Sequence, residues 1–135
     1  MNQPVLNGGC LCGQVRFKLH GKRREVVYCH CEQCRKISGH FVAATAVAPD
    51  DLDWENERGL RWFASSEDAE RGFCQHCGSS LFWRPKHGGH ISVMAGSIDG
   101  ETGLKASEHI YLDSAGDYYE LGDQLPQHRQ RGPTV

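Results

Sequence analysis

Seven cysteines in three tight groups are the strongest chemical signal in this 135-residue sequence. The groups are Cys10 and Cys12; Cys29, Cys31 and Cys34; and Cys74 and Cys77. An odd number of cysteines, after an N-terminus with no visible signal peptide, argues against a disulfide framework. Because closely spaced cysteines in a reducing compartment bind metal more often than they pair, the sequence predicts a cytoplasmic metal-binding protein.

Residues 74–78 have the spacing of a zinc knuckle, with Gly78 directly after the second cysteine. Two residues between the cysteines allow both sulfurs to reach one zinc ion at about 2.3 Å. Gly78 permits a positive φ, which turns backbone N–H groups toward the sulfurs. The same spacing occurs in redox motifs, but those stand between a strand and a helix, whereas strands are predicted on both sides here.

The seven cysteines divide into a set of four and a set of three. Cys29, Cys31 and Cys34 are close enough in sequence to reach one metal ion, and the other four are then left to close a Cys₄ site. The four are Cys10, Cys12, Cys74 and Cys77. A zinc ion with four thiolates is saturated and structural, whereas three protein ligands leave one position for water or substrate, as in catalytic sites. We therefore expect two zinc ions per chain.

An alternative for the three-cysteine set is an inert site that a fourth protein ligand completes. His40 lies nearby in the sequence and could be that ligand, a general base or a surface imidazole, and the last interpretation is favoured. His30 lies between two of the expected ligands, so in an extended chain its side chain points the other way.

Short strands must position these cysteines, because hydrophobic residues alternate and no long helical period occurs. Residues 11–19 predict a half-buried strand, and Cys10 and Cys12 share the parity of its polar residues, so both sulfurs are expected to point away from the core. Further strands are predicted at residues 26–28, 41–47, 60–64, 71–73, 80–84 and 91–95, with an edge strand at 109–112. Residues 32–37 are predicted to form a turn or one or two helical turns that end at Ser38 and Gly39. The tail from residue 127 is expected to be loose.

The composition excludes several classes of protein. Leu, Ile, Val and Phe number only 27, which is few for the hydrophobic core of one domain. Bound metal ions would then be expected to cross-link the chain and stabilise the fold. The formal charge of −2 gives no general attraction to nucleic acid or to a membrane surface. No apolar stretch approaches the length of about 18 residues that a membrane-spanning helix needs.

Three segments resemble the glutathione-dependent formaldehyde-activating enzyme family, whose relatives include centromere protein V. They are GGCLCGQVRF at residues 8–17, CHCEQCRKISG at 29–39 and RGFCQHCGSSLF at 71–82. The resemblance covers about residues 5–126 of a single zinc-binding domain expected to occupy residues 1–135. It implies a mainly β fold, the β-tent zinc fold of short antiparallel sheets, here with one short helix. It also implies a structural Cys₄ zinc and a second zinc site with three cysteines.

The same resemblance implies carbon–sulfur lyase activity, namely the condensation of formaldehyde with glutathione to S-hydroxymethylglutathione. The expected function is thus that of a zinc-dependent lyase acting on a thiol–aldehyde adduct, with Cys29, Cys31 and Cys34 as its catalytic residues. Its expected partners are a small thiol such as glutathione and an aldehyde. Arg35 and Lys36 could meet a glutathione carboxylate, although a solvated basic pair is the favoured interpretation. The alternative function is a non-catalytic, zinc-stabilised binding module.

Overall fold

Short strands in two β-sheets make up most of the computed structural model, which describes residues 3–132. Within those residues the strands are β1 (Leu6–Gly9), β2 (Arg16–Leu19), β3 (Val26–Cys29), β4 (Val42–Val47), β5 (Leu52–Asn56), β6 (Leu60–Ala64), β7 (Ala69–Cys74), β8 (Ser80–Pro85), β9 (Ile91–Met94) and β10 (Ala106–Ile110). One α-helix, α1 (Glu32–Ser38), follows β3. The prediction of a mainly β, single-domain fold with one short helix is therefore confirmed.

The smaller sheet has the strand order β1–β2–β5, and the larger has the order β10–β3–β4–β9–β8–β7–β6. Neighbouring strands are antiparallel throughout both sheets, except that β10 runs parallel to β3. β10 lies at a sheet edge, as expected, but it begins at Ala106 rather than at residue 109. The parallel pair places the chain after residue 105 beside the end of β3, where the first cysteine of the three-cysteine set lies.

The main hydrophobic core lies where the two sheets face each other. Phe17 of β2 and Phe82 of β8 are both fully buried, and their rings meet edge to face with centroids 5.2 Å apart. Gly8 of β1 lies opposite Phe17, and a Cβ atom at that position would come within 2.6 Å of the Phe17 ring. Only glycine therefore allows β1 to approach β2 this closely.

The segment between β1 and β2 corrects the strand predicted over residues 11–19. The strand begins only at Arg16, and residues 10–15 form a turn in which the Cys10 N–H donates to the Val15 carbonyl at 3.0 Å. Cys10 is 7% exposed, so the expectation that both sulfurs point away from the core is wrong for Cys10. The alternation rule does not apply through a turn, and Gly13 with φ of 84° breaks it here.

Two strands are absent from the sequence-based prediction. β1 has the sequence Leu-Asn-Gly-Gly, and two glycines give it little intrinsic preference for a strand. β5 follows directly on the turn Pro49–Asp51, and its five residues include an aspartate, a glutamate and an asparagine. Both strands are stabilised by pairing with β2 on either side, a tertiary effect that outweighs local propensity.

Helix α1 begins after Cys31, and its Gly39 N–H donates to the Arg35 carbonyl at 2.9 Å with a φ of 84° at Gly39. The predicted helical turns and their end at this glycine are therefore confirmed. Among residues 3–132, no helix has the length and apolar character needed to cross a bilayer.

The tail expected to be loose from residue 127 lies along the end of β10. The His128 N–H donates to the His109 carbonyl at 2.9 Å, and the Tyr111 N–H donates to the Gln130 carbonyl at 2.9 Å. Residues 127–130 are thus held by backbone hydrogen bonds, while the last part of the expected tail, residues 133–135, lies outside the described residues.

Candidate metal centres

The four-cysteine set comes together as expected. The sulfurs of Cys10, Cys12, Cys74 and Cys77 all lie within 4.8 Å of one another. The Cys10–Cys12 and Cys12–Cys74 sulfur pairs are each 3.7 Å apart. Tetrahedral zinc with Zn–S bonds of about 2.3 Å places its sulfurs about 3.8 Å apart. Both the donor set and the spacing fit zinc.

Backbone geometry holds this first cluster from two sides. The Val15 N–H donates to the Cys10 sulfur at 3.2 Å, and the Gly78 N–H donates to the Cys74 carbonyl at 2.8 Å. Gly78 has a φ of 78°, the positive value that its type was expected to supply. A Cβ atom at position 59 would lie 2.7 Å from the Cys74 sulfur, so Gly59 leaves room for the thiol.

Ser79 links the two halves of the first cluster, a contact that the sequence analysis missed. Its hydroxyl oxygen accepts from the Leu11 N–H at 3.1 Å and lies 3.2 Å from the Cys77 sulfur, to which its O–H can donate. Hydrogen bonds from the Ser79 side chain and backbone lower the pKa of Cys77 to about 5. A serine directly after Cys-x-x-Cys-Gly was the available signal.

The three-cysteine set also comes together, at the junction of β3 and α1. The sulfurs of Cys29, Cys31 and Cys34 lie within 4.8 Å of one another. The Cys34 N–H donates to the Cys31 sulfur at 3.3 Å, so Cys31 caps the helix. Hydrogen bonds from the Cys29 and Cys34 thiols lower the pKa of Cys31 to about 2, and the same bond with Cys31 raises the pKa of Cys29 above its usual value. Of the three thiols, Cys31 is therefore the one whose surroundings most favour the thiolate.

No histidine or carboxylate among residues 3–132 joins these three sulfurs at ligand distance. His40, considered above as a fourth ligand, is exposed, and its Nδ1 lies 2.8 Å from the Tyr118 hydroxyl instead. The two clusters therefore differ in donor number: four thiols in one, three in the other. A donor set of three thiols fits a zinc ion that keeps one position open.

A buried arginine contacts the second cluster, and the sequence analysis did not predict this contact. Arg71 of β7 is 5% exposed, and its Nη2 lies 3.8 Å from the Cys34 sulfur and donates to Gln33 Oε1 at 3.2 Å. Its positive charge is one of the influences that lower the pKa of Cys31. The only available signal was an arginine within a predicted strand that leads into Cys74.

A cleft of about 420 Å³ is lined by residues that neighbour both clusters. Its apolar side includes Val42 and Met94, which also pack around the thiols of the second cluster. Its other side includes Gly78 and Ser80 from the knuckle of the first cluster. Arg35 and Lys36 are not among its lining residues; Lys36 is exposed, and Arg35 Nε donates to the Ser114 carbonyl at 3.3 Å.

The sequence and the fold are similar to those of known proteins. The family model of the glutathione-dependent formaldehyde-activating enzyme matches residues 5–114. An uncharacterized lyase of Schizosaccharomyces pombe is 28% identical over 123 residues, covering 90% of this chain and 88% of the relative. A crystal structure of a Rhodobacter sphaeroides protein matches with a TM-score of 0.59 at 18% identity, covering 75% of this chain and 99% of that one, which supports the fold alone. Since the matched model spans most of the chain and contains all seven cysteines, this protein belongs to the glutathione-dependent formaldehyde-activating enzyme family.

Proposed function

We propose that this protein is a zinc-dependent carbon–sulfur lyase that forms and cleaves a thiol–aldehyde adduct, as in the synthesis of S-hydroxymethylglutathione. The observation that carries the proposal is the difference between the clusters. The second cluster has three thiols and no further ligand among residues 3–132, and the residues packed around it also line the cleft. A substrate in that cleft could reach the second cluster.

Two zinc ions per chain are proposed, with different roles. Cys10, Cys12, Cys74 and Cys77 would hold the structural ion, and their sulfur spacing of 3.7 Å supports this assignment. Cys29, Cys31 and Cys34 would hold the second ion and are therefore the proposed catalytic residues. These three thiols would hold a zinc ion that, when bound, would supply a Lewis acid to favour the thiolate form of a substrate.

The proposed reaction is the addition of a thiol to an aldehyde. The sulfur of the thiol forms a bond to the aldehyde carbon, and the thiol proton ends on the former carbonyl oxygen; the reverse reaction breaks the same carbon–sulfur bond. Val42 and Met94 present apolar side chains to the cleft next to the thiols of the second cluster. The guanidinium of Arg71 adds positive charge next to Cys34, which offsets the negative charge that gathers when thiolates accumulate in one place.

Glutathione and formaldehyde are the proposed substrates, because the matched family is defined by them and the relative from Schizosaccharomyces pombe carries the name of a lyase. Seven cysteines without a disulfide support a reducing, cytoplasmic location. The cleft's residues from α1 and the knuckle would contact the substrate, whereas Arg35 and Lys36 lie outside its lining.

Cobalt substitution tests this proposal directly. Thiolate ligation alters the visible spectrum of Co²⁺, so glutathione should change the spectrum of the protein carrying two cobalt ions. S-methylglutathione, which has no free thiol, should leave it unchanged. Cys31→Ser should abolish both the spectral response and turnover of glutathione with formaldehyde. If glutathione leaves the wild-type spectrum unchanged, the second cluster is saturated, and the non-catalytic binding module replaces the lyase.

A further inference from the structure

Two buried histidines adjoin the second cluster, and the proposed reaction uses neither of them: His30 lies between Cys29 and Cys31 in the sequence, and His109 lies on β10 beside the end of β3. His30 is 0% exposed and His109 is 1% exposed. His30 Nε2 lies 2.8 Å from His109 Nδ1, and the two rings are 5.0 Å apart between centroids. Two imidazoles this deep in a protein need hydrogen-bond partners at their remaining nitrogens, because an unpaired buried polar group is costly.

Those partners come from one segment near the C-terminus. The Tyr119 hydroxyl contacts His30 Nδ1, and Asp123 Oδ2 lies 2.8 Å from His109 Nε2. The four side chains thus form a continuous row of hydrogen bonds from Tyr119 through both histidines to Asp123. Every ring nitrogen in the row has a partner.

The hydrogen bonds of the row fix the orientation of both rings. Asp123 only accepts, and hydrogen bonds from the Leu125 N–H and from His109 lower its pKa. His109 therefore donates from Nε2 to Asp123, and its Nδ1 shares a hydrogen bond with His30 Nε2. His30 Nδ1 is hydrogen-bonded to the Tyr119 hydroxyl. Each ring has one orientation, because flipping either ring would place C–H groups where its nitrogens now meet their partners.

Because His30 is held in place, it restricts the positions of the two ligands next to it in the sequence, Cys29 and Cys31. Its ring is held by hydrogen bonds to Tyr119 and His109, and its backbone N–H donates to the Ile110 carbonyl of β10 at 3.0 Å. Cys29 and Cys31 are therefore joined through a residue whose backbone and side chain are both held. Such a turn keeps its two sulfurs at fixed positions before any metal binds, and this preorganisation lowers the entropy cost of binding.

The residues that complete the row lie outside the region matched by the family model, which ends at residue 114. Tyr119 also packs against Phe41, with ring centroids 5.9 Å apart, and Phe41 lines the cleft. Tyr119 therefore contacts two residues near the second cluster: His30, which lies between two of its ligands, and Phe41, which lines the cleft.

We propose that Tyr119 and Asp123 are positioning residues for the second metal site, acting through His30 and His109 on the turn that joins Cys29 to Cys31. This inference rests on the proposed function only in that the three thiols hold a metal ion. The matched family segment supplies the ligands, and the segment after residue 114 supplies the contacts that keep two of them in place.

The test compares metal retention at the two sites in the full-length protein. Zinc release to a chromophoric chelator is measured for wild type, Tyr119→Phe and Asp123→Ala, together with the visible spectrum of each protein loaded with Co²⁺. Loss of a group that orients a metal ligand typically weakens metal binding by about 10- to 100-fold, and for these more remote contacts we expect roughly 10-fold at the second site. The first site should retain its metal as in wild type, and the cobalt bands of the second site should shift.

Two further variants sharpen the result. Asp123→Asn keeps an oxygen that can accept from His109, so it should restore the metal retention lost in Asp123→Ala. Tyr118→Phe removes the neighbouring hydroxyl, which contacts the exposed His40 instead, and it should match wild type. Tyr119→Phe removes a single hydroxyl group, so it remains informative if Asp123→Ala fails to fold.

Three outcomes would overturn the inference. Wild-type retention and spectra in Tyr119→Phe would show that the row does not act on the ligands. Equal loss at both sites would show general loosening of the fold. A wild-type protein that binds only one metal ion would instead refute the proposed function, and the inference with it, so the two failures give different results.

Discussion

The two cysteine clusters use the same ligand type but connect the chain in opposite ways. The first joins the turn after β1 to the end of β7, and its Cys12 and Cys74 are 62 residues apart. The second gathers all of its sulfurs from residues 29–34. A metal ion that closes a long loop removes much more conformational freedom from the unfolded chain than one that closes a short loop. The first site is therefore expected to contribute more to the stability of the fold than the second, which agrees with the structural and catalytic roles proposed for them.

The two clusters also differ in where their supporting side chains and backbone groups come from in the sequence. The first cluster receives hydrogen bonds from the Val15 N–H and the Ser79 hydroxyl, groups close to its own ligands in sequence. The second cluster has Arg71 against Cys34 and His30 between two of its ligands, and the His30 ring is held by His109 and Tyr119. Arg71 and these two partners of His30 are all distant in sequence from residues 29–34. The local support suits a site that must assemble during folding, and the distant support suits a site whose charge and geometry must be adjusted.

The largest expected effect concerns the ligands themselves. Cys74→Ser should lower the melting temperature by more than about 10 °C, because Cys₄ zinc binding is coupled to folding and each kcal/mol shifts the midpoint of a domain this size by about 3 °C. Cys31→Ser should lower it by less than about 3 °C. Thermal melts of both variants, followed by circular dichroism, measure the difference. Equal shifts would mean that the structural and catalytic roles have been assigned to the wrong clusters.

The next effect concerns metal content. Freshly purified protein should contain close to two zinc ions per chain, and a mild chelator should remove one well before the other, since the three-thiol site holds its metal with one ligand fewer. Elemental analysis during a chelator titration measures both steps. Protein with almost no metal and seven thiols open to titration would contradict the assignment of both sites.

A smaller effect on metal retention is expected when the buried Arg71 is replaced. Arg71→Met should weaken metal retention at the second site by roughly 10-fold, because the charge next to Cys34 is lost, and should leave the first site unchanged. Arg61→Met, at an exposed position on the neighbouring strand β6, is the matched control and should behave as wild type. Competition with a chromophoric chelator measures the retention. If Arg71→Met retains metal at the second site as well as wild type does, the charge of Arg71 does not contribute to the difference between the clusters.

The smallest effect is expected at the first cluster. Ser79→Ala removes one hydroxyl that bridges Leu11 and Cys77. Leu11 is exposed, so its N–H can bond to water instead, and the net cost is about 1 kcal/mol for the lost hydrogen bond to Cys77. The melting temperature should fall by about 3 °C, with no effect on the cobalt bands of the second site. Calorimetry of the zinc-loaded protein measures the shift, and a spectral change at the second site would show that the two clusters are coupled.

The sequence was sufficient to predict which cysteines meet, because local spacing groups Cys29, Cys31 and Cys34 and leaves the other four cysteines for one site. It also predicted most strands of the larger sheet, where β-branched and aromatic residues are concentrated. It could not predict the contact of Arg71 with Cys34, which depends on how β7 lies against α1, or that of His109 with His30, which depends on the parallel pairing of β10 with β3. The burial of Cys10 was missed because a turn, and not a strand, follows β1.

The pairing of β10 with β3 also bears on the order in which the protein assembles. His109 pairs with Tyr28, and residue 128 in turn pairs with His109, so almost the whole chain must be synthesised before these contacts form. Cys29, Cys31 and Cys34 can meet as soon as residue 34 is available, and local contacts form much faster than distant ones. The ligands of the second site are therefore expected to find one another early, while the strand and side chains that fix their final geometry arrive last.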